Sequence, residues 1–217
     1  MKMGTVFALI LAGGVGNRFG HAIPKQYHML NSGVSVIHKA IDVFIQNPCI
    51  QGVFAVIHEE TQDLFYKNTQ GLPLMEVRFG GTTRMESVRL GLEMMAPHNP
   101  DYVLVHDGAR PFVSKDLIQR VIDGLSLEKA VIPGIPIADT VKRLEGSYVG
   151  QTIDRSQLVQ VQTPQGFHFK TLQQLHAQYE GHDFTDDASL FEAAHLPVLC
   201  VAGHRDNLKI TTREDLA

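Results

Sequence analysis

Thiols are scarce in this 217-residue chain, whose two cysteines, Cys49 and Cys200, stand far apart with no C-x-x-C pair. This scarcity excludes a disulfide framework and a zinc knuckle, and it favours residence in the reducing cytoplasm. Long apolar runs are also lacking, and none approaches the roughly 20 residues that cross a bilayer. The apolar stretch at 6–12 lacks the cleavage site of a signal peptide. We therefore expect a cytoplasmic protein that does not associate with a membrane.

A strong excess of charge is missing as well. The formal net charge is −4 at pH 7, which argues against a protein that coats nucleic acid. Hydrophobic residues at 44% and charged residues at 19% are ordinary proportions for a globular protein. No repeat or low-complexity linker divides the sequence, and its length suits one large core. We expect a single domain over residues 1–217.

Neither common nucleotide-binding motif is present, although glycines cluster at 13–16. A P-loop needs Gly-Lys followed by Ser or Thr, and this combination does not occur. A dinucleotide fingerprint that starts at Gly14 would need a third glycine where Phe19 stands. Both usual motifs are therefore excluded.

The glycine cluster nevertheless suits a polyphosphate. It follows the apolar run Thr5–Leu11 and is followed in turn by two cations, Arg18 and Lys25. Glycines let backbone N–H groups approach phosphate oxygens closely, and the cations supply fixed positive charge. The segment predicts binding of a nucleoside triphosphate. An ordinary glycine-rich turn after a strand is the alternative.

Apolar runs rich in Val and Ile alternate with helical patterns along the chain. The predicted strands are Thr5–Leu11, Gly52–Ile57, Glu76–Phe79, Tyr102–His106, Ala130–Pro133 and Val198–Val201. Helices are predicted from an apolar face that begins at Val36 to a stop at Asn47-Pro48, from a capping box at Thr83 through Met95, and over Ser114–Leu125 and Lys170–Tyr179. This order predicts an α/β fold with a doubly wound, mostly parallel sheet. Ligands of such sheets bind beyond the carboxyl ends of the strands.

Residues 137–167 break this alternation. Two stretches of β-forming residues flank Glu145-Gly146, which is typical of a hairpin. A two-stranded ribbon has too little hydrophobic face to be stable alone in water. We therefore expect a protruding β-arm that packs on a second subunit in a homodimer. A flap folded back on its own sheet is the alternative.

Asp107 and Arg110 follow the fourth predicted strand. This pair could bind a metal ion or a hydroxyl group beside a phosphate, or it could form a structural ion pair only. His106, at the end of the same strand, is expected to be a packed core histidine. The other histidines are scattered without an H-E-x-x-H motif, so zinc is not predicted.

Two further segments leave a functional and a structural explanation open. Gly80 and Gly81 precede the capped helix that carries Ser87, and they could contact a nucleobase or form only a tight strand-to-helix connection. Lys209 could complete a phosphate site or be a solvated surface lysine. Thr185 is expected as the N-cap of a late helix.

These segments belong to a series of short motifs: Leu11-Ala-Gly-Gly-Val-Gly-Asn-Arg18, Pro24-Lys-Gln-Tyr27, Gly80-Gly-x-x-Arg-x-x-Ser87, His106-Asp-Gly-Ala-Arg-Pro111, Asp139-Thr-Val-Lys142, Thr152-Ile-Asp-Arg155, Gln162-Thr-Pro-Gln-Gly-Phe167, Thr185-Asp-Asp-Ala188 and Asp206-Asn-Leu-Lys-Ile-Thr211. In this order, and over almost the whole chain, they resemble the 2-C-methyl-D-erythritol 4-phosphate cytidylyltransferase family of the non-mevalonate isoprenoid pathway.

The resemblance implies a Rossmann-like nucleotidyltransferase that transfers CMP from CTP to methylerythritol phosphate with Mg²⁺, as a homodimer. It implies a triphosphate cradle of Ala12, Gly13, Gly14, Gly16, Arg18 and Lys25, and cytidine contacts from Gly80, Gly81 and Ser87. It further implies an acceptor pocket of Asp107, Arg110, Thr163, Thr185 and Lys209, with Thr140 and Arg155 contributed across the dimer. Arg18, Lys25 and Lys209 would be the catalytic cations, and Asp107 and Asp206 are the candidate metal ligands.

Two departures from the family pattern keep alternatives open. The first loop reads Leu11-Ala-Gly-Gly, a variant that is usual in the related ribitol-5-phosphate cytidylyltransferases. A non-catalytic nucleotide-sensing module on the same fold is the alternative from a different class.

The second departure is that the sequence stops directly after the last motif, and some relatives carry a fused cyclodiphosphate synthase domain there. A fused C-terminal domain is therefore a further expectation.

Overall fold

A computed structural model describes residues 4–14 and 23–216. The strands of its described part are β1 (Val6–Ala12), β2 (Gly52–Ile57), β3 (Glu76–Phe79), β4 (Tyr102–Asp107), β5 (Ala130–Pro136), β6 (Val141–Glu145), β7 (Tyr148–Ile153), β8 (Val159–Val161), β9 (Gln165–His168) and β10 (Leu199–Ala202). The α-helices are α1 (Val36–Ile45), α2 (Gln62–Asn68), α3 (Arg84–Met95), α4 (Lys115–Gly124), α5 (Phe169–Gln178) and α6 (Ala188–Ala193). All the predicted strands and helices of the previous section are present, with ends shifted by a few residues at most. Helix α2 was not predicted.

The main sheet has the strand order β10-β5-β9-β4-β1-β2-β3, with β8 paired to β5. Strands β1 to β5 and β10 run in one direction, while β9 lies antiparallel between β4 and β5. A mostly parallel sheet is thereby confirmed. Because β9 enters the sheet against the direction of its neighbours, its first residue lies at the edge where β4 ends.

Helices cover both faces of this sheet, as the doubly wound prediction requires. Alternate residues of β1 point to opposite faces: Ile10 belongs to the apolar core beneath α1 and α4, while Leu9 belongs to the core beneath α3, α5 and α6. Buried aromatic residues occupy both cores, for example Phe44 on one face and Phe167 on the other.

The β-arm is a hairpin of β6 and β7 that forms its own two-stranded sheet. Among the described residues it pairs with no strand of the main sheet, and most of its residues are exposed, as expected for a protruding arm rather than a folded-back flap. The predicted excursion over 137–167 was too long at its end, because β8 and β9 have returned to the main sheet by then. Strands β8 and β9 are short and carry polar residues, which hid them in the sequence pattern.

Two predicted helix caps have different outcomes. The Thr83 hydroxyl accepts the Glu86 N–H at 3.1 Å and begins α3 as predicted. The prediction for Thr185 was wrong, because α6 begins after Asp187 and the Ser189 N–H is accepted by Asp186 Oδ1 at 3.1 Å. In the part of the chain that the structure describes, no helix has the length and apolar character to cross a bilayer.

Candidate functional site

Glycine turns and charged side chains meet at the carboxyl edge of the parallel strands. Ala12 ends β1, Gly80 and Gly81 follow β3, and Asp107 ends β4. The segment that contains Lys209 follows β10 at the same edge. The strand topology therefore brings together residues that are far apart in the sequence, at the place where ligands of open α/β sheets bind.

The turn after β1 is fixed by a residue that the sequence analysis did not single out. The Gln26 amide is buried and donates to Ala12 O at 2.9 Å and to Gly14 O at 3.0 Å. Its neighbour Lys25 opens the 3₁₀ helix Lys25–Tyr27 and so lies next in the chain to this anchoring amide. Gly16 and Arg18 lie outside the described residues. The signal for Gln26 was present in the motif Pro24-Lys-Gln-Tyr27.

Ser87 connects the turn after β3 to the start of α3. Its hydroxyl donates to Thr83 O at 2.9 Å and accepts the Gly81 N–H at 3.2 Å. A Cβ on Gly80 would come within 2.6 Å of Ser87 Oγ, and a Cβ on Gly13 would lie 4.0 Å from that atom. The structure thus brings Gly13, Gly80, Gly81 and Ser87 together, and only glycine fits at Gly80.

Asp107 is surrounded by cations. Its Oδ2 lies 2.7 Å from Lys209 Nζ and 3.8 Å from Arg110 Nε. Burial alone would raise the pKa of the Asp107 carboxyl, but the charges of Lys209, Arg84 and Arg110 outweigh this effect and hold the pKa well below its usual range. Asp107 is therefore a permanent carboxylate in a positively charged environment. Lys209 is thus partly solvated, with 43% of its side chain exposed, but it is also ion-paired within this cluster.

A buried network joins Asp107 to the segment before β9. The Thr163 hydroxyl accepts the Asp107 N–H at 3.1 Å and lies 3.0 Å from His106 Nδ1. His106 is fully buried, as expected for a packed strand-end histidine. Arg110 Nη1 donates to Asn207 O at 2.8 Å, and the Asn207 amide donates to Thr163 O at 2.9 Å. Asn207 thus fixes the loop that presents Lys209, a role not foreseen from the sequence.

Arg84 is a further cation of this region that the sequence analysis did not assign. Its Nη1 lies 2.8 Å from Oδ2 of the fully buried Asp187, whose Oδ1 lies 3.0 Å from His176 Nε2. Burial works to lower the pKa of Arg84, but the nearby carboxylates of Asp187 and Asp107 raise it overall. Arg84 occupies the arginine position of the motif Gly80-Gly-x-x-Arg-x-x-Ser87, which was the available signal.

Several buried polar atoms of these side chains lack a well-aligned hydrogen bond. Such atoms are rare in native proteins and call for a physical explanation. In the described part of the chain, every one of them belongs to this strand-edge cluster: Arg84 Nη1 and Nη2, Arg110 Nε, Gln165 Oε1, Asp187 Oδ2 and Asn207 Oδ1. Arg84 Nη1 and Asp187 Oδ2 nevertheless form an ion pair at 2.8 Å. Of the remaining atoms, Arg84 Nη2 and Arg110 Nε are donors, for which an anionic ligand would supply acceptors, whereas the two amide oxygens need a donor.

Other predicted site residues lie on exposed surface. Thr140 and Arg155 flank the β-arm, and Thr185 precedes α6, all three exposed to solvent. The side chain of Asp206 is 84% exposed and lies 3.7 Å from His204 Nδ1, whereas Asp107 pairs with Lys209. Over residues 4–14 and 23–216, no group of three or more His, Cys, Asp or Glu side chains could hold a metal ion.

A mostly parallel sheet with glycine turns and charged pairs at its carboxyl edge is the arrangement of the Rossmann-like nucleotidyltransferase fold. The chain belongs to the 2-C-methyl-D-erythritol 4-phosphate cytidylyltransferase (IspD) family, whose model matches residues 6–217. The predicted resemblance is confirmed.

Relatives and solved structures agree with this assignment. The chain is 44% identical to the bifunctional enzyme IspD/IspF of Paramagnetospirillum magneticum, covering 99% of this chain and 56% of that protein. It is 45% identical to the enzyme of the same name from Rhodospirillum rubrum, again over 99% and 56%. The chain thus spans about half the length of these curated relatives.

Among solved structures, 4-diphosphocytidyl-2C-methyl-D-erythritol synthase from Anaerococcus prevotii superposes with a TM-score of 0.84 at 31% identity, covering 98% of this chain and 92% of that one. The 2-C-methyl-D-erythritol 4-phosphate cytidylyltransferase from Thermus thermophilus superposes with a TM-score of 0.82 at 31% identity, covering 98% and 95%. The bifunctional IspDF from Campylobacter jejuni has a TM-score of 0.82 at 26% identity, and 53% of its chain is covered.

Proposed function

We propose that this chain transfers CMP from CTP to the phosphate of 2-C-methyl-D-erythritol 4-phosphate and releases pyrophosphate. The observation that carries the proposal is the pair of Asp107 and Lys209, 2.7 Å apart at the end of β4. A carboxylate can accept a hydrogen bond from a polyol hydroxyl, and the cations beside it attract a phosphate. A polyol phosphate has both groups.

The CTP side of the site is formed by the two glycine turns. The turn Ala12–Gly14, anchored by Gln26, offers backbone N–H groups to a triphosphate. The Gly80–Ser87 turn lies beside it, since Gly13 and Ser87 approach each other there. We assign the cytosine to the second turn and the triphosphate to the first, with Gly16 and Arg18 of the predicted cradle outside the described residues.

The chemistry needs positioning and charge rather than a general base. The attacking phosphate monoester is already ionised near neutral pH. In-line attack on the α-phosphorus adds negative charge to its equatorial oxygens, and the reacting anions repel each other. We assign Lys25 and Arg18 to the α-phosphate and Lys209 to the acceptor phosphate, because cations fixed in advance stabilise such a transition state.

Mg²⁺ is proposed to bind together with the triphosphate. Mg²⁺ sites of phosphoryl-transfer enzymes use one or two carboxylates, with phosphate oxygens and water completing the octahedron. Asp107 and Asp206 are the two candidate carboxylates. Asp107 would have to exchange its ion pair with Lys209, 2.7 Å away, for the metal ion, whereas the Asp206 side chain is exposed. The bound ion would neutralise charge on the phosphates.

We also propose a homodimer in which the β-arm reaches the partner's site. The arm exposes large apolar side chains: Leu144 is 67% exposed, Val149 66% and Tyr148 83%. Such a surface is typical of a protein interface. Thr140 and Arg155 lie beside this hairpin, so an arm packed on a second subunit would carry them across to it. Cytoplasmic residence stays a prediction.

Ribitol 5-phosphate is the second candidate acceptor, and the loop Leu11-Ala-Gly-Gly is what favours it. Family membership favours methylerythritol phosphate. The bifunctional relatives support a fused second domain in the full-length protein.

Pyrophosphate release from CTP, measured with each polyol phosphate in turn, tests the proposed function. We expect release with methylerythritol phosphate, whereas release with ribitol 5-phosphate alone favours the rival enzyme. CTP binding without release for any acceptor indicates a sensing module.

A further inference from the structure

The tautomer of His106 is fixed by its surroundings. His106 is fully buried on β4, and its Nε2 lies 3.1 Å from Arg110 O. A backbone carbonyl only accepts hydrogen bonds, so Nε2 carries the proton. Both ring nitrogens face neutral oxygen atoms, those of Arg110 O and Thr163 Oγ1, and a fully buried charge without a counterion at hand is costly, so the ring is neutral. Nδ1 is therefore unprotonated and acts as an acceptor.

This tautomer determines what the Thr163 hydroxyl can do. Thr163 Oγ1 lies 3.0 Å from His106 Nδ1, so its single proton is donated to that nitrogen. The same oxygen accepts the Asp107 N–H at 3.1 Å. A hydroxyl has one proton and two lone pairs, so one lone pair remains. Thr163 consequently cannot donate to a phosphate oxygen, but it can accept a hydrogen bond from an O–H group.

We propose that His106 is a positioning residue that acts through Thr163, turning its hydroxyl into an acceptor for a hydroxyl group of the polyol phosphate. The proposal deepens the proposed function and rests on it. Thr163 would then help to select a polyol rather than bind the phosphate, which is left to Lys209 and the neighbouring arginines. The Thr163 backbone is fixed for this task, because Asn207 donates to its carbonyl at 2.9 Å.

Nitrogen NMR of the ¹⁵N-histidine-labelled protein tests the tautomer without any activity measurement. We expect the His106 signals to show a protonated Nε2 and an unprotonated Nδ1 from pH 6 to pH 9. A protonated Nδ1 in this range would overturn the proposal, because Thr163 would then be free to donate to a ligand.

A double-mutant cycle of His106→Phe and Thr163→Val tests the action through Thr163. Phenylalanine preserves the packing on Phe44, whose ring centroid lies 4.9 Å from that of His106, and valine removes only the hydroxyl. We expect each single variant to raise KM for the polyol phosphate roughly tenfold, as for one lost substrate hydrogen bond, with KM for CTP within about twofold. The double variant should be no worse than either single variant.

His168→Phe is the matched control. The Nε2 atom of His168 also lies within hydrogen-bond distance of a backbone carbonyl, 3.1 Å from Leu125 O. The His168 ring packs on that of Tyr102, with 5.0 Å between the ring centroids. It lies at the opposite end of β4 from the site. Equal effects of His106→Phe and His168→Phe, or additive effects in the cycle, would overturn the proposal.

Two further outcomes keep the proposal separate from the proposed function. If His106→Phe does not fold, the pair Thr163→Ser and Thr163→Val replaces it. The serine variant should preserve KM for the polyol phosphate, and the valine variant should raise it. Equal KM values for the two variants would contradict the inference. If the unmodified protein releases no pyrophosphate with any acceptor, the proposed function fails, and the selection of a polyol fails with it. An active protein whose His106 variants behave normally refutes the inference alone.

Discussion

Lys209 Nζ lies 2.7 Å from Asp107 Oδ2, so a lysine on the loop after β10 neutralises the carboxylate that ends β4. Arg110 approaches the same carboxylate oxygen at 3.8 Å. The carboxylate and its cations form a preorganised patch at the carboxyl edge of the sheet. Preorganised charge needs no rearrangement when charge develops during a reaction.

Lys209→Ala is expected to lower kcat/KM for the polyol phosphate by roughly 10²–10³-fold, the usual loss when one fixed stabilising group is removed. The thermal unfolding midpoint should change little, because the Lys209 side chain is 43% exposed. Steady-state pyrophosphate release is the measurement, and Lys67→Ala, an exposed lysine on α2, is the control. Equal kinetics for the two variants would remove Lys209 from the site.

Asp187→Asn is expected to destabilise the protein at neutral pH by about 3–5 kcal/mol, because Arg84 would lose its buried countercharge. Burial works to raise the pKa of the Asp187 carboxyl, but Arg84 and His176 lower it by more than burial raises it. The pKa in the folded protein therefore lies below the value in the unfolded chain. The stabilisation is therefore present above the ordinary pKa of about 3.9 and is lost as pH falls through the folded value.

Urea unfolding of both proteins at pH 7 and pH 3.5 measures this dependence. The difference in free energy of unfolding between wild type and Asp187→Asn should shrink at the lower pH. Asp183→Asn, at an exposed carboxylate, serves as the control. A difference that stays constant over this range would show that the charge of Asp187 is not what stabilises the fold.

Gly14→Ala and Gly80→Ala should separate nucleotide binding from folding. A Cβ on Gly14 would meet no described atom within 4 Å, whereas one on Gly80 would meet Ser87 Oγ at 2.6 Å. We expect Gly14→Ala to keep the unfolding midpoint and raise KM for CTP roughly tenfold or more, since the methyl group blocks the approach of phosphate. Gly80→Ala should lose both stability and CTP affinity. Normal CTP kinetics in Gly14→Ala would exclude its turn from the triphosphate site.

Mixing Lys209→Ala with Arg155→Ala tests the contribution of the β-arm across a dimer. If Arg155 acts on the partner's site, a heterodimer has one intact site and one doubly altered site. Random exchange of subunits should then restore about one quarter of wild-type activity, because half of the dimers are mixed and half of their sites are intact. No recovery after verified subunit exchange would place Arg155 in the site of its own subunit.

The sequence pattern was sufficient for the parallel part of the fold. Strand β1 is a continuous apolar run with both faces buried, and Thr83 is a helix cap with a local mechanism. Strand β9 was missed because it is four residues long, contains Gln165 and Gly166, and is specified by its pairing with β4 and β5. Pairing between distant segments leaves no periodic signal.

The site was predicted through motifs, but its supporting contacts were not. Asp107 and Lys209 were named from the sequence, whereas Gln26, Arg84 and Asn207 were quoted within motifs without a role. Their roles depend on buried hydrogen bonds and ion pairs between remote segments, such as Arg84 with Asp187. Such contacts follow from the assembled fold and cannot be derived from spacing.

A crystal structure of the protein with bound CTP is the most direct test of the account. We predict that the cytosine contacts the Gly80–Ser87 turn and that the triphosphate lies along the turn from Ala12 to Gly14. Nucleotide bound against residues 179–183, which follow α5 and line a neighbouring pocket, with no contact to either turn, would contradict it.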